Sequence, residues 1–292
     1  MSSSRLSAPM GLLLSVWLIK KVNGPPPCSS VFSSLAAPTP SRLQIILNSS
    51  PTVDDNHSRW SSVHCSPHFL VSPCKQKVTR TPAELSSDGV RAEEGVMTGL
   101  HVWEVLWDPR HRGSHAVIGV STKNCPLQAS GYKVLVGGDK QSWGWELKTN
   151  KLWHDGRSQV LYPGNGKTSQ RRRAEESRHV HSKVKTDMFP IPKCVLMVLD
   201  TDAATLGYVV DDFFLGVAFR GLPRGVELFP SVSSVRGGAE IRLRYLNGAS
   251  GYPPSLMSLC RLSIQQNLGR QRHSQLDKLH LPPLLQQYLL YT

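Results

Sequence analysis

The sequence predicts an all-β protein, an antiparallel β-sandwich, followed by a small α-helical C-terminal segment. Between residues 99 and 246, at least eight short segments are apolar or alternate apolar with polar residues, and turn signals such as Gly137-Gly138-Asp139 and Gly237-Gly238 separate them. The same region has few helical stretches and no alternation of strands with helices. This pattern favours an antiparallel sandwich over a doubly wound parallel sheet.

The clearest strand is Leu100–Trp107, where apolar and polar residues alternate as in a half-buried strand until Asp108-Pro109 ends it. Seven further segments share these features, and we predict strands at His115–Thr122, Ser142–Leu147, Val195–Asp200, Leu206–Asp211, Phe213–Phe219, Glu227–Val232 and Ala239–Leu246. Residues 53–98 stay ambiguous, because short apolar pieces such as Phe69-Leu70-Val71 stand there between Ser, Pro and Cys residues.

Two segments lack the pattern of a packed core. Residues 1–52 are rich in Ser and Pro, and we predict that they are disordered. At about residues 164–190 a basic insertion with Arg171-Arg172-Arg173 interrupts the sandwich. We predict a mobile, solvated loop there, with a nuclear address or a phosphate contact as the alternatives.

The C-terminal segment carries two short apolar helices. Leu256, Leu259, Cys260 and Ile264 recur at the spacing of an amphipathic helix, and Pro282-Pro283 precede a second helical pattern rich in Leu. Forty residues with two short helices cannot build a core of their own. The segment must therefore dock on the domain before it, on a partner, or on both.

Amino-acid composition and charge argue against a nucleic-acid-binding or membrane-spanning protein. The 292 residues are 39% apolar and 19% charged, with a formal charge of +13. Residues 164–194 contain eight of the basic and three of the acidic residues, so the excess is not a clean basic face of the kind that binds nucleic acid. The apolar run Met10–Ile19 is too short to span a bilayer. We predict a soluble cytoplasmic protein, with the nucleus left open, that neither binds nucleic acid nor inserts into a membrane.

Motifs for catalysis are absent from the sequence. Gly164-Asn-Gly-Lys-Thr168 resembles a phosphate loop, but Leu161 stands where the first glycine is needed. The Cys/His cluster between His64 and Cys74 lacks a second half at zinc spacing. The six cysteines form no dense disulfide framework, and we expect free thiols. We predict no catalytic residue, no metal and no cofactor.

Several motifs carry a resemblance to a known family. They are Gly99-Leu-His-Val-Trp-Glu104, Arg112-Gly-Ser-His-Ala-Val-Ile-Gly-Val120, Ser142-Trp-Gly-Trp-Glu146, Leu206-Gly-Tyr208 and Leu215-Gly-Val-Ala-Phe-Arg-Gly-Leu222. These motifs resemble a SPRY (B30.2-type) domain, and Ser255-Leu-x-x-Leu-Cys-Arg-x-x-Ile264 followed by Leu-Pro-Pro resembles a SOCS box. Together they are similar to the SPRY domain–SOCS box (GUSTAVUS-like) family, with the sandwich over residues 53–252 and the box over 253–292.

The resemblance implies a non-catalytic receptor subunit of a ubiquitin ligase. Elongin C, and with it elongin B, would bind at Leu256, Leu259, Cys260 and Ile264, and cullin-5 with its RING subunit would be selected by Leu281, Pro282 and Pro283. Target peptides of the type Asp/Glu-Ile-Asn-Asn-Asn would bind the sandwich loops, and inducible nitric oxide synthase is a target that the resemblance suggests. The implied peptide-binding positions are Arg80, Pro82, Ser86, Gly113, Ser114, Tyr132, Leu135, Val235, Arg236 and Gly237.

Within that implied site, Tyr132 would stack on the peptide and Arg80 would face its acidic residue. Each also has an ordinary structural explanation, Tyr132 as a core residue and Arg80 as a solvated charge. Two positions depart from the family pattern: Arg236 stands where the family has Trp, and Glu84 places a carboxylate in the Pro-Val-Ala-Gln-Ser segment. Two alternatives therefore stay open. One is a SPRY adaptor or scaffold with a lost or changed peptide pocket that does not promote degradation, and the other is a basic nucleic-acid-binding or nuclear factor acting through residues 167–185.

Overall fold

The structure is a computed structural model that describes residues 31–49, 51, 56–164, 189–249, 255–268 and 280–291. In these ranges two antiparallel sheets pack face to face. The first contains β1 (Trp60–Cys65), β4 (Ser86–Ala92), β6 (Val117–Ser121), β7 (Gln128–Ser130), β8 (Ser142–Glu146), β9 (Lys151–His154), β10 (Arg157–Leu161) and β14 (Phe229–Ser234). The second contains β2 (Phe69–Val71), β3 (Lys77–Arg80), β5 (Leu100–Trp107), β11 (Cys194–Asp200), β12 (Thr205–Val210), β13 (Phe213–Arg220) and β15 (Glu240–Ala249).

In both sheets, some neighbouring strands are far apart in the sequence. The strand order is β1-β4-β14-β6-β8-β9-β10 in the first, with β7 also paired to β4, and β13-β12-β11-β5-β15-β3-β2 in the second. The helices of the described residues are α1 (Ser41–Asn48), α2 (Leu256–Leu268), α3 (Pro283–Tyr291), and two short 3-10 turns at Val31–Leu35 and Pro109–His111. None of these helices is both long and apolar enough to cross a membrane.

The predicted fold class is confirmed. Each of the eight strands predicted from the sequence is present, with its ends moved by at most three residues. Seven more strands were missed, among them four between residues 60 and 92. The strand β4 shows why, because its sequence Ser-Ser-Asp-Gly-Val-Arg-Ala is polar although every one of its residues is buried. Each of its Ser, Asp and Arg side chains makes hydrogen bonds inside the fold, which a hydrophobicity pattern cannot reveal.

The core lies between the two sheets and is rich in aromatic residues. Trp103 and Trp107 reach it from β5, and Trp145 from β8, each at most 1% exposed. The hydroxyl of Tyr208 on β12 donates a hydrogen bond to the Ile118 carbonyl on β6 at 3.1 Å, which ties one sheet to the other. Buried Trp and Tyr side chains of this size contribute most of the apolar area of such a core.

The helix α1 corrects the prediction of disorder for residues 1–52. Residues 31–49 are ordered, and Leu43 and Ile46 of α1, 1% and 4% exposed, pack on Leu100 and Val102 on the outer face of β5. The strand β5 is therefore buried on both faces, not half-buried as its alternation predicted. Burying each aliphatic side chain contributes about 1.5–3 kcal/mol, which explains why a short helix stays on this face. Residues 1–30, 50 and 52 lie outside the described residues.

One arginine fixes α1 to both the sandwich and the chain that leads to α2. The guanidinium of Arg42 lies 3.5 Å from the Asp200 carboxylate and 2.7 Å from that of Asp202, and it donates to the Ala249 carbonyl at 2.7 Å. Arg42 is only 6% exposed, so the two carboxylates are needed to stabilise its charge. The helix α2 then packs against α1.

The two C-terminal helices contact each other through a cation–π pair. The guanidinium carbon of Arg261 on α2 lies 5.1 Å from the centre of the Tyr288 ring on α3. Leu289 of α3 is 4% exposed. The basic insertion predicted at about 164–190 falls almost wholly outside the described residues, which resume at Phe189, held by two hydrogen bonds to the Asn150 side chain.

Candidate functional site

Four loops meet at one end of the first sheet. The strand β14 is antiparallel to both β4 and β6, with Ser234 opposite Asp88 and Ser233 opposite Val117. The end of β14 therefore lies beside the beginnings of β4 and β6. The end of β7 joins them, because Ser130 pairs with Ser86. This register gathers the loops that carry the predicted peptide-binding positions, here called the loop face: residues 81–86, 113–116, 131–135 and 235–238.

Buried charge holds the first of these loops. The Arg80 side chain is fully buried, with its Nε 2.8 Å and its Nη2 2.6 Å from Oδ2 of Asp88. The same guanidinium donates to the backbone carbonyls of Thr81, Ala83 and Ser86 at 2.9 to 3.3 Å. It therefore fixes the path of the backbone from Thr81 to Ser86.

Three more side chains hold the Asp88 carboxylate. Ser66 and Ser86 donate to Oδ1 at 2.6 and 3.0 Å, and His68 Nδ1 lies 3.0 Å from the same oxygen. Burial alone would raise the pKa of the Asp88 carboxyl, but the hydrogen bonds from Ser66, His68, Ser86 and Arg80 outweigh it and lower that pKa. Asp88 is therefore a stable anion beneath the loop face.

This finding corrects the role expected for Arg80. Its charge is neutralised inside the fold and its donors are engaged, so it does not face a peptide carboxylate. Asp88 was not predicted as a site residue, and His68 was considered only as a member of the Cys/His cluster between His64 and Cys74. Asp88 is the one carboxylate in the strand Ser86–Ala92, which is fully buried. A buried carboxylate needs a paired cation, so recognising that the strand is buried would have pointed to an Asp88–Arg pair.

The cluster of Ser86, His68 and Asp88 combines the residue types of a nucleophilic triad without its geometry. The Nδ1 atom of His68 is the ring nitrogen near both Asp88, at 3.0 Å, and the Ser86 hydroxyl, at 3.4 Å. A relay needs the hydroxyl on one ring nitrogen and the carboxylate on the other. These groups therefore support the loop face as a hydrogen-bonded base.

The predicted stacking residue, Tyr132, stands at the tip of a turn. The Ser87 hydroxyl lies 2.8 Å from the Gly131 carbonyl and 2.9 Å from that of Lys133, and the Gly131 amide donates to the Leu85 carbonyl at 2.7 Å. These bonds fix both sides of the turn and leave Tyr132 51% exposed. Tyr132 is thus not a core residue, and its ring is open to a ligand beside the exposed side chain of Leu85.

The last loop is clamped to the first. The Gly238 amide donates to the Arg80 carbonyl at 2.7 Å, and the Arg80 amide donates to the Ala239 carbonyl at 3.0 Å. Gly237 sits so close to the first loop that an added methyl group would come within 2.9 Å of the Pro82 Cα. Gly113 has a φ of +66°, and a methyl group there would meet Cβ of Arg236 at 2.9 Å. Glycine is thus required at both positions.

The structure brings the predicted residues together at different depths. Pro82, Ser114, Tyr132 and Arg236 are exposed, and so is Glu84, whereas Gly113, Val235 and Gly237 are partly exposed. Ser86 and Leu135 are 7% and 4% exposed. Leu135 packs beneath β4, next to Gly89, so it supports the loop face from below rather than forming its surface.

The other predicted surface lies on the C-terminal helices. Leu256 is 77% exposed, and Leu259 and Ile264 are 36% and 38% exposed on α2, with Cys260 also exposed. Pro282 and Pro283 at the start of α3 are exposed, and Leu281 is partly so. Apolar side chains on one helix that the domain leaves uncovered are typical of a helix that enters a partner's groove.

The described residues offer no group of three or more His, Cys, Asp or Glu side chains that could hold a metal ion. Five cysteines fall in the described ranges, and all are free thiols. Burial raises the pKa of the Cys125 thiol to about 11 and that of Cys194 to about 12, which makes both poor nucleophiles near neutral pH.

Comparison with known protein families gives two matches in sequence order. The SPRY domain matches residues 100–245, and the SOCS box matches residues 252–290.

Full-length relatives agree with this arrangement. The human SPRY domain-containing SOCS box protein 1 is 40% identical over 86% of this chain and 88% of its own length. Protein gustavus of Drosophila melanogaster is 40% identical over 86% of each chain. The human SPRY domain-containing SOCS box protein 2 is 37% identical over 80% of this chain and 82% of its own.

Proposed function

We propose, because this chain belongs to the SPRY domain–SOCS box family of ubiquitin-ligase substrate adaptors, that it is the receptor subunit of an elongin B/C–cullin-5 RING ligase. The SPRY loop face would hold a short Asp/Glu-Ile-Asn-Asn-Asn-like peptide of a target, and the SOCS box would dock on the ligase. The target would then be ubiquitylated and degraded by the proteasome. Inducible nitric oxide synthase is one target to test.

One observation carries the proposal: two separate surfaces of the molecule are prepared for ligands. The loop face has a rigid base, because the buried Arg80–Asp88 pair and the Ser87 hydroxyl fix the loops while Tyr132 stays exposed. The helix α2 exposes Leu256 and Leu259 although they are apolar. A receptor needs both surfaces on one molecule.

In this role the chain binds and positions the target protein. Asn side chains of a peptide need paired donors and acceptors, and backbone groups beside Gly113 and Gly237 with the Ser114 hydroxyl are suited to supply them. Holding a target lysine near the ubiquitin donor raises its effective concentration, which needs no reactive group from the receptor. We infer a non-catalytic protein that acts in the cytoplasm.

The docking half is tested by capture of elongins B and C and cullin-5 on the tagged full chain. We expect wild type to retain all three and Leu256→Ala/Cys260→Ala to lose them. Leu70→Ala is the matched control, since Leu70 is 61% exposed but lies on the SPRY strand β2. Equal capture by wild type and the double variant would refute the docking surface, and no capture by folded wild type would refute the ligase role.

The recognition half is tested by calorimetry with an Asp-Ile-Asn-Asn-Asn peptide. We expect saturable binding that Tyr132→Ala weakens by about tenfold, because stacking on an exposed ring contributes about 0.5–1.5 kcal/mol beyond the area it buries. Elongin capture without any peptide binding would favour a second candidate function, an adaptor of altered specificity. The presence of Arg236 and Glu84 where the family has other residues supports that candidate.

A further inference from the structure

A basic groove adjoins the loop face on the side of Gly113 and Arg236. It encloses about 460 Å³ and is lined by ten described residues, four of them basic and none acidic. The basic residues are Arg110, Arg112, Lys148 and Arg236, and this set is here called the basic groove. Its volume suits one or two side chains, within the range of small-ligand sites.

The most informative member of the basic groove is Arg112, which is only 4% exposed. Its guanidinium donates to the carbonyls of Trp107, Ile191 and Pro192 at 2.5 to 2.7 Å, and its buried Nε has no hydrogen-bond partner. Burial lowers the pKa of Arg112 to about 10, and the nearby charge of Asp108 opposes this only in part. Arg112 has carbonyl partners but no directly paired carboxylate, so an anion in the groove beside it would gain coulombic stabilisation.

The other cations add to the same field. Lys148 and Arg236 are exposed, and neither has a carboxylate partner among the described residues. Arg110 is compensated, because its guanidinium contacts the Asp108 carboxylate at 2.7 Å. Three of the four cations are therefore without a paired carboxylate, and a cleft lined by one sign of charge attracts ions of the opposite sign.

We propose that the basic groove is an anion subsite that binds a carboxylate or phosphate side chain flanking the core of the target peptide. This inference rests on the proposed function, since it places the anion beside a peptide already held on the loop face. Gly113 and Arg236 belong to both surfaces, so the two surfaces are contiguous. The groove is too small for the several phosphates that a nucleic acid must contact to bind.

The subsite also assigns a role to the position that departs most from the family. Arg236 replaces an aromatic wall with a cation that can form a bidentate pair with a carboxylate or phosphate. The exchange then alters specificity toward acidic flanks instead of merely weakening binding.

The test uses the full chain and fluorescein-labelled peptides, measured by anisotropy at 50 mM NaCl. Each peptide contains the core Asp-Ile-Asn-Asn-Asn. One peptide has neutral Gly-Ser flanks, and the others carry two glutamates or one phosphoserine in either the N-terminal or the C-terminal flank. We expect one acidic flank to tighten binding by about five- to tenfold over the neutral one, and phosphoserine by more than glutamate. The gain should fall at 0.5 M NaCl and disappear in Lys148→Gln, which lies outside the loop face and should bind the neutral core unchanged. Arg236→Gln should lose the gain as well.

The matched control is Arg224→Gln, an exposed arginine in the loop before β14 and outside the groove lining, which should keep the full gain. Core binding with equal affinity for neutral and acidic flanks would overturn the subsite while leaving the proposed function intact. An RNA 12-mer that binds more tightly than the peptides and loses binding in Arg236→Gln would overturn the peptide assignment.

The phosphopeptide Glu-phosphoserine-Glu, which lacks the core, distinguishes a failure of the anion subsite from a failure of the proposed recognition sequence. Its binding is followed by the amide resonance of Gly113. A shift that Arg236→Gln abolishes, in a protein that ignores the core peptide, would keep the subsite and refute the proposed recognition sequence. No shift with this probe and no gain from acidic flanks would refute the subsite.

Discussion

Replacing Asp88 by Asn should destabilise the SPRY domain strongly, because Asp88 neutralises a buried arginine. Both side chains of the Arg80–Asp88 pair are 0% exposed, and their closest atoms are 2.6 Å apart. Removing one partner of such a pair typically costs about 3–5 kcal/mol, and Asn keeps one acceptor, so we expect about 3 kcal/mol. For a domain of this size that loss lowers Tm by about 6–12 °C.

The pH dependence follows from the direction of the pKa shift. The pKa of Asp88 is lowered in the folded protein, so its contribution is complete above the unfolded value of about 3.9. That contribution is lost as the pH falls through the lower folded value. The difference in stability between wild type and Asp88→Asn should therefore shrink as the pH falls below 4.

The assay is thermal and urea unfolding followed by near-ultraviolet circular dichroism, which reports the buried tryptophans. Glu240→Gln is the matched control, because the Glu240–Lys77 pair is exposed and its loss should cost less than about 1 kcal/mol. In the double variant Arg80→Met/Asp88→Asn the cost should be smaller than the sum of the single costs by about 2 kcal/mol. An Asp88→Asn protein within 1 kcal/mol of wild type would refute the reasoning.

Three further predictions concern other parts of the fold. Arg42→Met leaves two carboxylates unpaired and should lower the free energy of unfolding by about 2–3 kcal/mol and loosen α1, measured by urea unfolding and amide exchange; unchanged exchange in α1 would contradict it. Gly237→Ala forces a methyl group against Pro82 and should weaken the neutral core peptide at least tenfold in calorimetry, while Tm falls by only a few degrees. Tyr288→Ala should cost about 1 kcal/mol in thermal unfolding by removing the ring over Arg261, and an unchanged Tm would contradict it.

The sequence predicts the sandwich well where strands follow the hydrophobic pattern. Leu100–Trp107 has the predicted ends, although its residues are buried on both faces of the sheet and not on one. The hydrophobic pattern does not predict the strand Ser86–Ala92, because its polar side chains are buried with their hydrogen-bond partners. The helix Ser41–Asn48 was missed because its apolar residues match a sheet face that only the folded chain creates.

The candidate site was also predicted only in part from the sequence. The family resemblance named positions that the register of β4, β6 and β14 does gather at one end of the sheet. It assigned Arg80 to a ligand because sequence gives no burial, and the structure pairs that residue with Asp88 instead. The basic groove could not be predicted, since Arg110, Lys148 and Arg236 are far apart in sequence and meet only through the fold.

The central claim is that one molecule holds a target and docks on a ligase. The most direct measurement is reconstituted ubiquitylation of a reporter carrying an Asp-Ile-Asn-Asn-Asn segment, with elongins B and C, cullin-5 and its RING subunit. We predict ubiquitylation that requires this chain and that either Tyr132→Ala or Leu256→Ala/Cys260→Ala greatly reduces. Elongin capture and peptide binding without any ubiquitylation of the reporter would contradict the account.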